Sequence, residues 1–477
     1  MPLWMCDHEG CRRAAVRNLG DCLLCDHHFC SYHLRPEIHT CPEWEDADAY
    51  DPACREAEKQ ELTDLMRKIN ISALRARASF LRQGKPCSIP PVKYDGASRS
   101  SVMGGMNFHV EIVFEDGVVW MARFRRSNAT SPPAAIRDYI MRSEVATLMF
   151  LEKTSVPTPK VYDFELEHPG NPVGPAFILM EKLPGKSLRW SIATPQQRQR
   201  VMSQLADVFV ELHKHPFRSF GSLDTPGESH IGPFARESLT TLVKSEMRTT
   251  GPCSGLEDYY TSFLQLILDL ILQEELYSRQ AVDAYLIHRF LLELVPLVVP
   301  STQDDENFYL KHADDKGDHI LVDDHFNITG LIDWEWAHTA PPQHAFNSPI
   351  CLLPVADFYN GNNTLGGDEI IFSRLLEEKG HSGLARFVQD GRVQHRFAFC
   401  CGYNLMDWDG FLGLFRGLRD AVGIDNNLDW HDWKAVALQR YKSDLGLLQL
   451  LKQHERFDTD NSPSDGIDKK HEQRSID

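Results

Sequence analysis

Residues 308–337 read FYLKHADDKGDHILVDDHFNITGLIDWEWA. Three short apolar, β-prone runs stand out, at 309–312, 319–322 and 328–332, the last followed at once by Asp333. An acidic loop at 314–318 separates the first two. The turn-rich DDHFN at 323–327 separates the last two and is the kind of connection that closes a hairpin. A hairpin with one acid just before its first strand and another just after its last brings both to one end. Two carboxylates at one mouth suit a base beside a carboxylate that holds a metal ion on phosphates.

His312-x-Asp314, the strand and turn, and Ile332-Asp333-Trp334 together resemble the catalytic core of the aminoglycoside phosphotransferase family, also called choline-kinase-like. The resemblance implies an α+β, two-lobed protein-kinase-like fold, with a small β-rich lobe and a large helical lobe. It implies that Asp314 is the base that orients a substrate hydroxyl and that Asp333 holds magnesium on the ATP phosphates. The family has Asn five residues after the catalytic Asp; this chain has His319. Imidazole prefers softer metals than magnesium, and Asp318 next door is a substitute oxygen ligand. Asp333, His319 and Asp318 are therefore the candidate magnesium ligands. Protein kinases proper are a looser likeness, because no Arg stands between His312 and Asp314 and no Asp-Phe-Gly follows.

A length of 477 residues allows two or three domains and a large core. A hydrophobic content of 42% with 25% charged residues is that of an ordinary globular chain. The net charge of -18 argues against nucleic acid and anionic membranes as general partners. The start of the chain lacks the basic, apolar pattern of a signal peptide, and no apolar run reaches membrane-spanning length. The expected location is cytoplasmic or nuclear, where thiols stay reduced. Twelve cysteines then need a purpose other than disulfides.

Six of them fall in the first 41 residues, in the order C-x4-C-x10-C-x2-C-x4-C-x2-H-x5-H-x-C from Cys6 to Cys41. Eight such ligands make two tetrahedral zinc sites. A segment this short buries little core of its own, so metal would supply its folding energy. The pattern resembles the AN-one type zinc finger, with a wider first pair. The resemblance implies interleaved sites: Cys6, Cys11, Cys30 and His33 in one, Cys22, Cys25, His39 and Cys41 in the other. With all eight positions filled, the two zinc ions are structural. His8 is a competing ligand for the first site, and His27 and His28 are left over. Four Arg against five acids make this no basic DNA reader; fingers of this type usually bind proteins.

The expected domains are a finger at 1–42, an acidic linker and bracing helix at 43–86, a small lobe at 87–183, a large lobe at 184–454 and a disordered tail at 455–477. One helix is expected from 52 to 82, with an apolar stripe of Leu62, Leu65, Ile69, Ala73, Ala76 and Phe80. Strands at 108–114 and 118–124 are joined by Glu115-Asp116-Gly117, a good hairpin turn. By the resemblance, Gly104-Gly105 in the loop 102–108 covers the ATP phosphates. Arg123 stands where the family has its phosphate-steadying Lys. Glu144, in a helix at 139–153, is that base's partner, and the backbone of Glu181 and Leu183 in the connector EKLPG meets adenine. Helices follow at 196–213, 368–379, 380–402 and 430–452, and residues 256–299 are helix-rich. Trp334, Trp336, Asp407, Trp408 and Asp409 are candidates for the wall of the acceptor pocket.

The leading expectation is an ATP-dependent phosphotransferase acting on a small-molecule hydroxyl, with the finger as a protein-binding module. The alternative is a catalytically impaired, kinase-shaped binding module whose finger recruits a protein partner; His319 and Arg123, both off the family's pattern, motivate it.

Overall fold

The computed structural model describes residues 2–92, 103–243, 246–299, 307–403, 405 and 407–460. Its small lobe is built on a five-stranded antiparallel sheet in the spatial order Cys87–Ser88, Asn107–Phe114, Val119–Arg125, Phe177–Glu181, Val161–Glu165. Gly117 makes the expected hairpin turn at φ +82. The strand period of two sorts the side chains. Phe108, Val110, Ile112 and Phe114 share one face with Trp120, Ala122 and Phe124 and pack on Leu62, Leu74 and Ala78 of the preceding helices. The other face carries Arg123 and Arg125, with Asn107 paired opposite Arg125 and His109 opposite Arg123. Helix Ala134–Leu151 lies on that side and brings Glu144 to Arg123.

The bracing helix is two helices, Ala47–Lys68 and Ile71–Leu81. The reason is local. Asn70 caps the second by accepting from Ala73 N at 3.1 Å, and its own N–H donates to Val173 O at 2.9 Å. The break shifts the helical phase, so Leu74 and Ala78 are buried whereas Phe80, expected in the stripe, is 81% exposed.

After Glu181 the connector joins the hairpin of residues 320–331 directly. Lys186–Ser187 pairs with Ile320–Val322, which pairs with Ile328–Leu331. Thr329 Oγ1 donates to Pro184 O at 2.5 Å. The first of the three expected strands is not part of this sheet: Tyr309–Lys311 pairs instead with His338–Ala340. The large lobe is helical, led by Pro195–His213, Leu256–Leu272 and Ala281–Val298. Gly391 divides the helix expected at 380–402 into Ser382–Asp390 and Arg392–Gly402. The one expected at 430–452 is likewise divided into Trp430–Arg440 and Leu445–Asp460. The last helix thus takes in the first residues of the expected tail. Residues 461–477 and Val102, at the start of the glycine loop, lie outside the described residues. Among the described residues, no helix is long and apolar enough to cross a membrane.

The finger is docked rather than tethered. Its hairpin, Asp21–Cys22 with His27–His28, is small, but its Leu3 packs with Ile136, Ile140 and Ala235.

Candidate active site and metal centres

His312 organises the loop that carries Asp314. Its Nε2 lies 2.9 Å from Ile332 O, and Asp314 N donates to its Nδ1 at 3.2 Å. One neutral tautomer, protonated on Nε2, satisfies both bonds, and burial favours the neutral ring by lowering its pKa. The ring also packs edge-on to Trp334 and against His319. One side chain therefore ties the loop carrying Asp314 to the residue before Asp333. Asp314 is partly exposed, with the Lys316 ammonium 2.9 Å from its carboxylate. Asp333 turns outward at the strand end with φ +63 and is 53% exposed.

A buried charge cluster lies behind Asp333. Arg123 pairs with Glu144, reaches Glu335 at 3.0 Å and lies 3.3 Å from Asp333. Arg125 grips Glu335 bidentately at 2.6 and 2.7 Å. The Asn107 side chain adjoins Arg123 and Glu335. Sequence reading found Arg123 and Glu144 but missed Arg125, Glu335 and Asn107. Period two was the available signal: Arg125 follows Arg123 by two positions, so both face the cleft. Lys316 was missed as well.

The three candidate magnesium ligands do not form one set. Asp333 and Asp318 are exposed, and His319 is buried. Burial beside His312 pushes its pKa down to about 2, and its Nδ1 lies 3.4 Å from Gly317 N. Among the described residues, the clusters of three or more converging metal-ligand side chains are those of the finger. In the connector, Glu181 N donates to Lys160 O at 2.8 Å. Leu183 packs over Gly330 of the hairpin. Gly104 N donates to Asn107 O at 2.9 Å, and Gly105 O accepts from Arg126 at 3.1 Å, so the glycine pair turns tightly above the charge cluster.

A cavity of about 580 Å³ adjoins the loop, lined by Lys311, Ala313 and Asp315 on either side of Asp314. Its other walls include Arg236, Tyr259, Tyr260, Trp336 and Tyr403 of the large lobe, Met106 and Pro132 of the small lobe, and residues 16–19 of the finger. Of the side chains expected in an acceptor wall, Trp336 is there. Trp334 is 1% exposed and its indole donates to Leu331 O, a packing role. Asp407, Trp408 and Asp409 line a different cavity, against finger residues 21–24, and Asp407 caps the helix Trp408–Val422.

In the finger, Cys6, Cys11, Cys30 and His33 converge, as do Cys22, Cys25, His39 and Cys41, each set with its ligand atoms within 4.8 Å of one another. Cys11 and Cys30 sulfurs are 3.9 Å apart. The edge of a tetrahedron of zinc–sulfur bonds is about 3.8 Å, so thiolate-rich sets of this spacing fit zinc. His8 stacks on the His33 ring at 3.8 Å and stands outside both sets.

Residues 124–347 match the phosphotransferase enzyme family. The match begins one residue after Arg123 and includes Glu144, Asp314 and Asp333. The match takes in the strand Phe177–Glu181, the connector and the hairpin Ile320–Leu331 of a two-lobed α+β fold. A subtelomeric hrmA-associated cluster protein of Aspergillus fumigatus is 35% identical over 96 residues, 20% of this chain and 19% of that protein. Clavilactone A biosynthesis cluster protein Y of Ampulloclitocybe clavipes is 26% identical over 259 residues, 52% of this chain and 62% of that protein. The chain thus spans less than two thirds of the length of these curated relatives. A solved structure from Thermobifida fusca, provisionally described as a fructosamine-3-kinase, is 15% identical with a TM-score of 0.43, covering 72% of this chain and 98% of that one.

Proposed function

We propose that the protein transfers the γ-phosphoryl group of ATP to a hydroxyl of a small molecule held in the cavity beside Asp314. The observation that carries this reading is the His312 bridge, which couples Asp314 to the strand end bearing Asp333. In the proposed reaction Asp314 takes the proton of the acceptor hydroxyl. That oxygen bonds to the γ-phosphorus as the bond to the bridging oxygen breaks, and ADP leaves. Lys316 places a positive charge beside the transfer. Arg123, steadied by Glu144, meets the phosphates under the turn of Gly104 and Gly105. The Glu181 carbonyl and the Leu183 backbone meet adenine.

Magnesium, when bound, neutralises phosphate charge. Asp333 is the carboxylate that would hold it, with Asp318 as a further oxygen. A single carboxylate suits this ion, which keeps waters and takes phosphate oxygens as its other ligands. His319, packed and neutral, fits the ion poorly. The two finger sets would hold zinc as structural ions.

Asp314→Asn tests the reading. Turnover should fall by about 10²–10⁴, with ATP affinity within a factor of about two, because the base acts on the acceptor and not on the nucleotide. Retained turnover would remove Asp314 from the mechanism. A second reading, a kinase-shaped binding module, is favoured by His319 alone. Against the finger as a free recruiter of partners stands its Leu3, buried against the lobes.

A further inference from the structure

The finger touches both lobes across the cleft. On the small-lobe side, Leu3 packs on Ile136 and Ile140, and Asp26 Oδ1 accepts from Ala129 N at 2.5 Å. On the large-lobe side, Arg17 bonds Glu275 through its side chain at 3.0 Å and through its backbone N–H at 2.8 Å, and donates to Thr240 O at 3.0 Å. Between these anchors, residues 16–19 face the cavity whose far side carries Lys311, Ala313 and Asp315. A detached protein-binding module would not line a cavity of its carrier.

The cavity's chemistry narrows its occupant. Tyr259, Tyr260, Phe263, Tyr277, Trp336 and Phe399 make it aromatic. Its two acids are committed or weakened. Asp315 accepts from Ile350 N at 3.1 Å and lies 3.9 Å from the Lys311 ammonium. Burial, with Asp21 near, raises Glu237 to about 7. Burial also holds His338, His344 and His395 well below the ordinary histidine range, so they are neutral. Arg236 lines the cavity with Tyr259, and no ion pair of Arg236 is found among the described residues. The uncompensated charge in this cavity is thus positive. A polycationic amino sugar finds no pair of free acids there, whereas a flat ring with one carboxylate finds a guanidinium to receive it.

We propose that residues 16–19 of the finger form a wall of the acceptor site, and that this site takes an aromatic hydroxy compound bearing one anionic group, received by Arg236. The inference rests on reading this cavity as the acceptor site.

The test uses the full zinc-loaded chain and three probes: 6-hydroxy-2-naphthoate, 2-naphthol and kanamycin. Binding is read without nucleotide, by probe fluorescence and by calorimetry for kanamycin. The naphthoate should bind more tightly than 2-naphthol by about tenfold or more, the worth of a charge-assisted bond, and more tightly than kanamycin. Arg236→Gln should erase the gap between the two naphthyl probes. Leu19→Trp, intruding from the finger, should weaken the naphthoate by about tenfold with the affinity for ATP unchanged. Leu19→Ala, which cannot clash, should weaken it severalfold. If both Leu19 variants keep their zinc and bind the naphthoate like the parent, the finger is not a wall. Tighter binding of kanamycin, or no naphthoate binding at millimolar concentration, overturns the substrate class. Intact binding without phosphoryl transfer would count against the phosphotransferase reading and leave this one standing.

Discussion

Arg17 of the finger and Glu275 of the large lobe meet at 3.0 Å with both side chains buried, 258 positions apart in the chain. Two long side chains held dry at this distance make finger and lobe one folding unit. Removing one partner strands the other charge, at a cost of about 3–5 kcal/mol. Arg17→Ala should therefore lower the stability of the large lobe, not only of the finger, in denaturant unfolding followed by tryptophan fluorescence. An Arg17→Met, Glu275→Met double variant should recover most of the loss. Unfolding of the lobe unaffected by Arg17→Ala would show that the two parts fold independently.

Arg123 serves three carboxylates, those of Glu144, Glu335 and Asp333. Lys keeps the charge but not the planar fork that reaches them together. Arg123→Lys is expected to raise the KM for ATP by about tenfold and to cost stability of about 1–3 kcal/mol through the unmet acceptors around it. Steady-state kinetics at saturating acceptor, with a melting curve, measure both. A KM for ATP equal to that of the parent would take Arg123 out of the nucleotide site.

The connector depends on Gly185, which has φ +109. A Cβ there would meet Thr329 Oγ1 and sit 2.9 Å from Val322 O. Gly185→Ala combines left-handed strain with a backbone clash and should cost about 2 kcal/mol or more. The loosened connector should show as faster hydrogen exchange in the paired strand Ile320–Val322. Unchanged exchange there would mean the connector does not brace the hairpin.

Metal content is directly countable. Two ligand sets predict two zinc ions per chain. Cys41→Ser should leave about one. Chelation should lower the melting temperature of the whole protein and widen access to the cavity, because residues 16–19 line it. A metal-free preparation with the parent's melting curve would rule out a structural role for zinc.

Glu237 makes stability depend on pH. Burial raises its folded pKa to about 7, above that of an exposed glutamate. Between those values the folded state holds the proton more often than the unfolded state does. Its contribution is therefore fully present at low pH and lost as pH rises toward 7 and beyond. Glu237→Gln should flatten this fall, so the gap in melting temperature between variant and parent should widen from pH 5 to pH 8. A constant gap would show that Glu237 titrates as an exposed acid.

Much of this protein is legible one-dimensionally because its signals are local. The eight ligand positions of the finger are set by spacing, and the structure gathers the same eight into two sets. The turns at Asp116-Gly117 and at Asp323, which accepts from His325 N and Asn327 N, are written in residue type. So is the order of strand, connector and hairpin that carries Arg123, Glu144, Asp314 and Asp333 in sequence.

What the chain by itself offered is therefore the hairpin with Asp314 and Asp333 at its ends and the eight ligand positions of the finger, which are local in sequence, and, through its resemblance to known families, the two-lobed fold and the grouping of those ligands into two sets. Tertiary structure alone decided the rest. It placed Arg125 and Glu335, 210 positions apart, in one buried pair. It took Trp334, Asp407 and Trp408 out of the cavity wall and put Arg17, Leu19 and Arg236 into it. It also placed the finger, expected as a protein-binding module, in contact with both lobes. The physical reason is the same each time: burial, desolvation and charge pairing act between segments far apart in sequence, and no local pattern records which of them will meet.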